Sequence, residues 1–184
     1  MNKELIEQFS DGIRLIMICQ RNKEGRDTNK TDRASKRKIS TNREEFFQIL
    51  KEFQEIKNKS NTPLRIYSCV NKRDIEKGIM NFKREQLEAD YYSKEDRNRF
   101  YFDIENRWIS SLMKQNARAE TLFLLDIDSE EDEKLARKVI ADNKIEIVAE
   151  YPTKNGKHII TKPFNPSIMP GINIKKDGML LLDF

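Results

Sequence analysis

Two aspartates separated by one residue, Asp126 and Asp128, close the run Thr121-Leu122-Phe123-Leu124-Leu125-Asp126-Ile127-Asp128. The run predicts a buried strand, and residues two apart on a strand share a face, so both carboxylates would stand together at its C-terminal end. Adjacent carboxylates repel and raise one another's pKa unless a cation neutralises them. Oxygen ligands suit Mg²⁺ or Mn²⁺, and two such ions about 3.5–4 Å apart are a common phosphoryl-transfer device. A plainer alternative has Asp128 capping the next helix and Asp126 solvated at a strand end. Further on, Tyr151-Pro152-Thr153-Lys154-Asn155-Gly156-Lys157-His158-Ile159-Ile160-Thr161 feeds the only histidine into a strand through a tight turn. Such a turn can present backbone N–H groups, a hydroxyl and ammonium groups to phosphates. It is equally an ordinary hairpin tip, and a lone histidine is often structural.

Taken together, an acidic pair ending a strand, a Thr-x-x-Gly-x-His turn about 30 residues on and a later strand carrying an aspartate resemble the catalytic core of archaeo-eukaryotic primases and primase-polymerases. The resemblance covers roughly residues 64–184 and rests on short motifs. It implies that Asp126 and Asp128 hold Mg²⁺ or Mn²⁺ and that a third acid completes the metal site, either Asp183 in Leu-Leu-Leu-Asp-Phe or Asp177 in Lys-Lys-Asp-Gly. Asp126, Asp128 and His158 would form the catalytic set. Ser129, Thr153, Lys154, Gly156, Lys157 and His158 would contact the phosphates of an incoming nucleotide. Tyr67-Ser68-Cys69-Val70-Asn71-Lys72-Arg73 looks like the family's early strand, whose trailing polar residues line the active-site groove, so Asn71 and Arg73 could reach template or triphosphate. Without the resemblance, the same stretch is a strand followed by a turn and a helix start. The implied fold is α/β (α+β), a mixed β-sheet flanked by helices with an RRM-like catalytic half.

Charge distribution adds a separate feature. The chain carries a formal +4, yet eight basic and three acidic residues between Arg21 and Lys38 give that segment +5 and leave the remainder near −1. Residues 21–40 lack hydrophobic periodicity and predict a basic mobile loop, and long structureless loops tend to be functional or disordered. Arg33, Lys36, Arg37 and Lys38 could neutralise the phosphates of DNA or RNA by counterion release. Charge runs are also often plain solvated surface.

The elements that must position these residues follow from periodicity. Helices are predicted over Asn2–Ser10, from a Thr41-x-x-Glu44 capping box, over Asp74–Glu88, over Lys94–Gln115, and from Ser129-x-x-Asp132 to Asp142. Strands are predicted at Ile13–Cys19, Leu64–Val70, Thr121–Asp128, Ile145–Glu150, His158–Thr161 and Met179–Phe184. The stripe of Phe46, Phe47, Phe53, Phe82 and Phe100 repeats at helical spacing and predicts core. At 184 residues, with 36% charged and 37% hydrophobic residues, the chain reads as one domain, 1–184.

No run approaches the roughly 18 apolar residues of a spanning helix, and the N-terminus lacks a signal-peptide core. Two cysteines and one histidine exclude a CxxC-type zinc site. Cys19 and Cys69 read as buried free thiols in a cytoplasmic, reducing setting, with a single disulfide as the alternative. The Lys- and Asn-rich composition suggests an AT-rich genome such as that of a phage. The reading is a metal-dependent nucleotidyltransferase acting on nucleic acid with nucleoside triphosphates, with replication proteins as possible partners. Its alternatives are a nucleotide- or nucleic-acid-binding accessory factor and a metal-dependent phosphoesterase.

Overall fold

A computed structural model describes residues 3–20, 35–153 and 156–183. In chain order the elements are α1 (Lys3–Gln8), β1 (Arg14–Gln20), β2 (Ser35–Ser40), α2 (Arg43–Lys59), β3 (Leu64–Cys69), α3 (Ile75–Tyr92), α4 (Lys94–Phe102), α5 (Ile104–Leu112), β4 (Phe123–Ile127), α6 (Glu130–Asp142), β5 (Ile147–Pro152), β6 (Lys157–Thr161), β7 (Asn173–Lys175) and β8 (Met179–Asp183). Short 3₁₀ turns lie at Gln115–Ala117 and Pro166–Ile168. The α+β class is the one the sequence indicates. Among the described residues the strands form two four-stranded sheets, ordered β2-β1-β3-β8 and β5-β6-β4-β7, instead of one mixed sheet. Every pairing is antiparallel.

Alternation along the strands sorts side chains into layers. Ile16, Ile18, Leu64, Ile66, Leu180 and Leu182 of the first sheet share one core with Leu124, Tyr151 and Ile160 of the second, and with helical Leu5, Ile6, Phe46, Ile49, Leu50 and Phe53. The opposite face of the second sheet places Phe123, Leu125, Ile127 and Ile159 against Ala136 and Ile140 of α6. The opposite face of the first places Leu15 and Cys69 against Ile109 of α5. Phe46 and Phe53 are fully buried, and truncating either to Ala would cost about 3–5 kcal/mol.

Several boundaries depart from expectation for local physical reasons. The cap of α2 is Asn42, whose side chain accepts from the Glu45 N–H at 2.9 Å. Glu45 reaches back to the Thr41 N–H and hydroxyl, both at 2.7 Å, so the box closes one residue later than Thr41-x-x-Glu44. Ser129 caps α6 as expected, accepting from the Asp132 N–H at 3.1 Å. The helix expected over Lys94–Gln115 is broken at Asp103, which leaves helical geometry with ψ 29. The break lets Phe82 meet both Phe100 (5.2 Å) and Trp108 (5.9 Å). Asn173–Lys175 is a strand that no periodicity announced.

The expectation of a loop over 21–40 is corrected at its C-terminal end. Ser35–Ser40 is a strand, paired from Arg14↔Ser40 to Cys19↔Ser35. Backbone pairing with β1 holds it, and its long side chains find partners on both faces: Lys36 and Lys38 reach Glu52 of α2 at 2.9 and 2.5 Å, and Arg37 donates to Asn106 of α5 at 2.5 Å. Residues 21–34, Arg33 among them, lie outside the described residues.

A buried polar joint connects the sheets. Asn71 accepts from the Leu122 N–H at 2.6 Å and donates to the Lys176 carbonyl at 3.2 Å and to Asp177 at 3.1 Å. Arg73 binds both Asp177 oxygens at 2.6 and 3.1 Å. Burial is the largest single influence and opposes the Arg73 charge, but interactions with Asp177 and Cys69 together hold the guanidinium above its ordinary pKa. Replacing Asn71 with Leu would orphan the Leu122 N–H and should lower unfolding free energy by about 1–3 kcal/mol in urea titration. An unchanged urea midpoint would contradict the joint.

Candidate active site

Asp126 and His158 meet by strand register. Asp126 of β4 pairs directly with His158 of β6, which pairs on its other side with Tyr151 of β5. Asn173 of β7 pairs with Asp126 from the opposite side. A row of four side chains therefore crosses the whole sheet. His158 Nε2 lies 2.8 Å from Asp126 Oδ1, and His158 Nδ1 lies 2.7 Å from the Tyr151 hydroxyl. Lys175 Nζ donates to Asp126 Oδ2 at 2.5 Å, and Asn173 Nδ2 reaches the same oxygen at 3.5 Å. The His158 and Asp126 side chains are 12% and 21% exposed, so the row opens to solvent at its acidic end.

Electrostatics set the proton positions. The His158 hydrogen bond, then Lys175, hold the Asp126 carboxyl far below its ordinary value against the opposing cost of burial. Burial, then the Asp126 charge, push the Tyr151 phenol well above 10.0. Asp126 is thus an ionised acceptor and Tyr151 a protonated donor. A neutral imidazole satisfies both only as the Nε2–H tautomer, donating to Asp126 and accepting the Tyr151 proton at Nδ1.

The other expected site residues divide into those nearby and those placed elsewhere. Strand β4 ends at Ile127, so Asp128 sits past the last paired residue, exposed and without a hydrogen-bonding partner among the described residues. The side-by-side arrangement expected of the two aspartates is therefore not built by the strand, because pairing stops before Asp128. Gly156 lies against this end of β4: a Cβ there would fall 2.0 Å from the Ile127 carbonyl oxygen and 3.1 Å from Asp128 Cα. Thr153 holds the turn, its Oγ1 accepting the Gly156 N–H at 3.2 Å and its own N–H donating to the Gly156 carbonyl at 2.8 Å. Among the described residues, no acceptor takes the hydroxyl hydrogen of Thr153.

Ser129 caps α6, its Oγ accepting the Asp132 N–H at 3.1 Å. Lys157 projects to the α6 side of the sheet and pairs with Glu133 at 2.5 Å, away from the His158 face. Arg73 and Asp177 are paired with each other in the buried joint, at 2.6 Å. Asp183 ends β8 in the other sheet, paired with Ile66. Lys154 lies outside the described residues. Lys36, Arg37 and Lys38 stand on the edge strand of the first sheet. Among the described residues, no three His, Cys, Asp or Glu side chains gather closely enough to hold a metal ion.

Three site residues escaped the sequence reading: Tyr151, Asn173 and Lys175. Tyr151 falls seven residues before His158 across a hairpin, a spacing that could have marked it as a cross-strand neighbour. Asn173 and Lys175 carried no such signal, because β7 has three residues and follows an irregular proline-containing loop. Compared with known proteins, the chain matches no family model, no curated protein and no solved structure.

Two predictions follow from this geometry. Folding lowers the Asp126 pKa from its ordinary 3.8, so the stabilisation it brings is complete above that value and is lost as pH falls below it toward the folded value. The stability difference between wild type and Asp126→Asn should therefore be largest near pH 7 and smaller by about pH 3, below the ordinary value. Urea titrations at the two pH values check this, and a difference of constant size would refute it. Gly156→Ala should push the turn off β4 and cost about 1–3 kcal/mol, read as a drop in Tm.

Proposed function

We propose that this chain is a primase-polymerase-like nucleotidyltransferase domain acting on nucleic acid with nucleoside triphosphates. The observation that carries the reading is the direct cross-strand contact of Asp126 with His158 at 2.8 Å, beside a glycine turn seated on the strand end that bears Asp128. Asp126 and Asp128 are hard oxygen donors of the kind that Mg²⁺ or Mn²⁺ takes, and the ion would supply positive charge to the transferring phosphoryl group. Because the His158 Nε2–H is given to Asp126, His158 acts by fixing the carboxylate's orientation and ionisation. Phosphate contacts fall to the hydroxyl of Thr153 and to Lys175, the ammonium already on the Asp126 side of the sheet. Lys36, Arg37 and Lys38 offer positive charge to a template or primer backbone, and the setting is cytoplasmic. No helix of the described residues is long and apolar enough to cross a membrane.

One observation favours a second reading, a nucleotide- or nucleic-acid-binding accessory factor without polymerase activity. Lys175 already neutralises Asp126 Oδ2, and Asp126 Oδ1 is held by His158, so a metal ion must compete for this carboxylate. Primer extension with Mg²⁺ or Mn²⁺, run beside triphosphate binding by equilibrium dialysis, separates the two. The first reading expects extension by wild type and none by Asp126→Ala or Asp128→Ala. It also expects triphosphate binding weakened about 10- to 100-fold by Lys175→Met, the size of one lost charge-assisted hydrogen bond. Binding without extension supports the accessory factor, degradation of the primer supports a phosphoesterase, and neither binding nor extension overturns both readings.

A further inference from the structure

Helix α3 is apolar on two opposite sides. One side faces α4 and α5: Asn81 Nδ2 donates to the Ser111 carbonyl at 3.1 Å, Phe82 meets Phe100 and Trp108, and Gly78 lies under Leu112. At 3.6 residues per turn, Met80, Leu87 and Tyr91 line up along the other side. They are 63%, 70% and 85% exposed. The same helical hairpin exposes Tyr92 and, on α4, Phe102 at 93%. Large apolar side chains exposed in series along one helix face mark a surface that a partner covers.

The charges beside the stripe indicate what covers it. Lys83 and Asp90 flank it on one side, Arg84 and Glu88 on the other. The ion pairs α3 does make are Lys77–Asp74 and Glu85–Lys114, and the four flanking charges have no ion-pair partner among the described residues. Two copies of α3 laid antiparallel across a twofold axis bring like flanks together. In a single register Leu87 then meets Leu87 of the second copy, Met80 approaches Tyr91, Lys83 faces Asp90 and Arg84 faces Glu88. Each charged contact occurs twice, and all four are between opposite charges.

We propose that the chain forms a homodimer through the exposed face of α3, centred on Leu87. The inference is independent of the catalytic reading. Sedimentation equilibrium of the full chain over about 1–100 µM tests it directly. Wild type should dimerise and Leu87→Ser should be monomeric. The double variants Lys83→Glu/Arg84→Glu and Glu88→Lys/Asp90→Lys should each weaken self-association about tenfold or more. Mixing the two doubles should restore dimers as a heterodimer, since every contact is again between opposite charges, and far-UV circular dichroism confirms that each variant is folded. A wild type that stays monomeric, a dimer that survives Leu87→Ser, or charge variants that self-associate at wild-type strength would each overturn the proposal.

Discussion

The carboxamide of Asn71 ties together three segments: the end of β3, the entry to β4 and the turn between β7 and β8. Its oxygen takes the N–H of Leu122, just before β4, and its nitrogen holds Lys176 and Asp177 in the turn between β7 and β8. That turn crosses from the second sheet to the first, so its anchoring sets how the sheets abut. Arg73 completes the anchor by clamping Asp177, and the Gly178 carbonyl accepts the Val70 N–H at 3.0 Å. Gly178 has no side chain for a further reason: a Cβ there would sit 2.8 Å from Leu124 Cβ, and the inner core has no room for it. Once the turn is held, β7 lies beside β4 and Lys175 is delivered to Asp126.

The charge balance of the site follows from that delivery. A half-buried carboxylate needs partners that stabilise its ionised form, and Asp126 has an imidazole donor on one oxygen and an ammonium on the other. Behind the imidazole, Tyr151 belongs to the inner hydrophobic core, so the row Tyr151–His158–Asp126 runs from packed interior to open surface. The adjacent N-terminus of α6 is a weak competitor for an anion despite its dipole. Glu130, Glu131, Asp132 and Glu133 fill its first turn, and Lys157 and Arg137 are drawn to Glu133.

Much of the fold was legible because its signals are local. Ser129 reads as a helix cap from its own neighbours, and Thr121–Asp128 reads as a strand from its apolar run. His158 follows a turn whose Gly156 lies so close to the Ile127 carbonyl that a Cβ would collide with it. Asp126 and His158 were both singled out from residue type and spacing, and they touch. The strand β2 was hidden because Ser-Lys-Arg-Lys carries no apolar alternation; its pairing comes from the open edge of β1. The division of the sheet in two was hidden as well, since strand order is a matter of which edges find each other.

The amino-acid sequence by itself determined the α+β class, most helices and strands, the basic segment, and the candidate pair Asp126 and His158. Period and capping are properties of neighbouring residues, and chemistry can be read from side-chain type. Tertiary structure alone decided that Asp128 has no hydrogen-bonding partner among the described residues while Asp126 is neutralised, that Arg73 clamps Asp177 in the joint, and that Tyr151 and Lys175 complete the row. Those outcomes depend on register between strands distant in sequence and on where a strand stops pairing. A one-residue slip of register would turn each side chain to the other face.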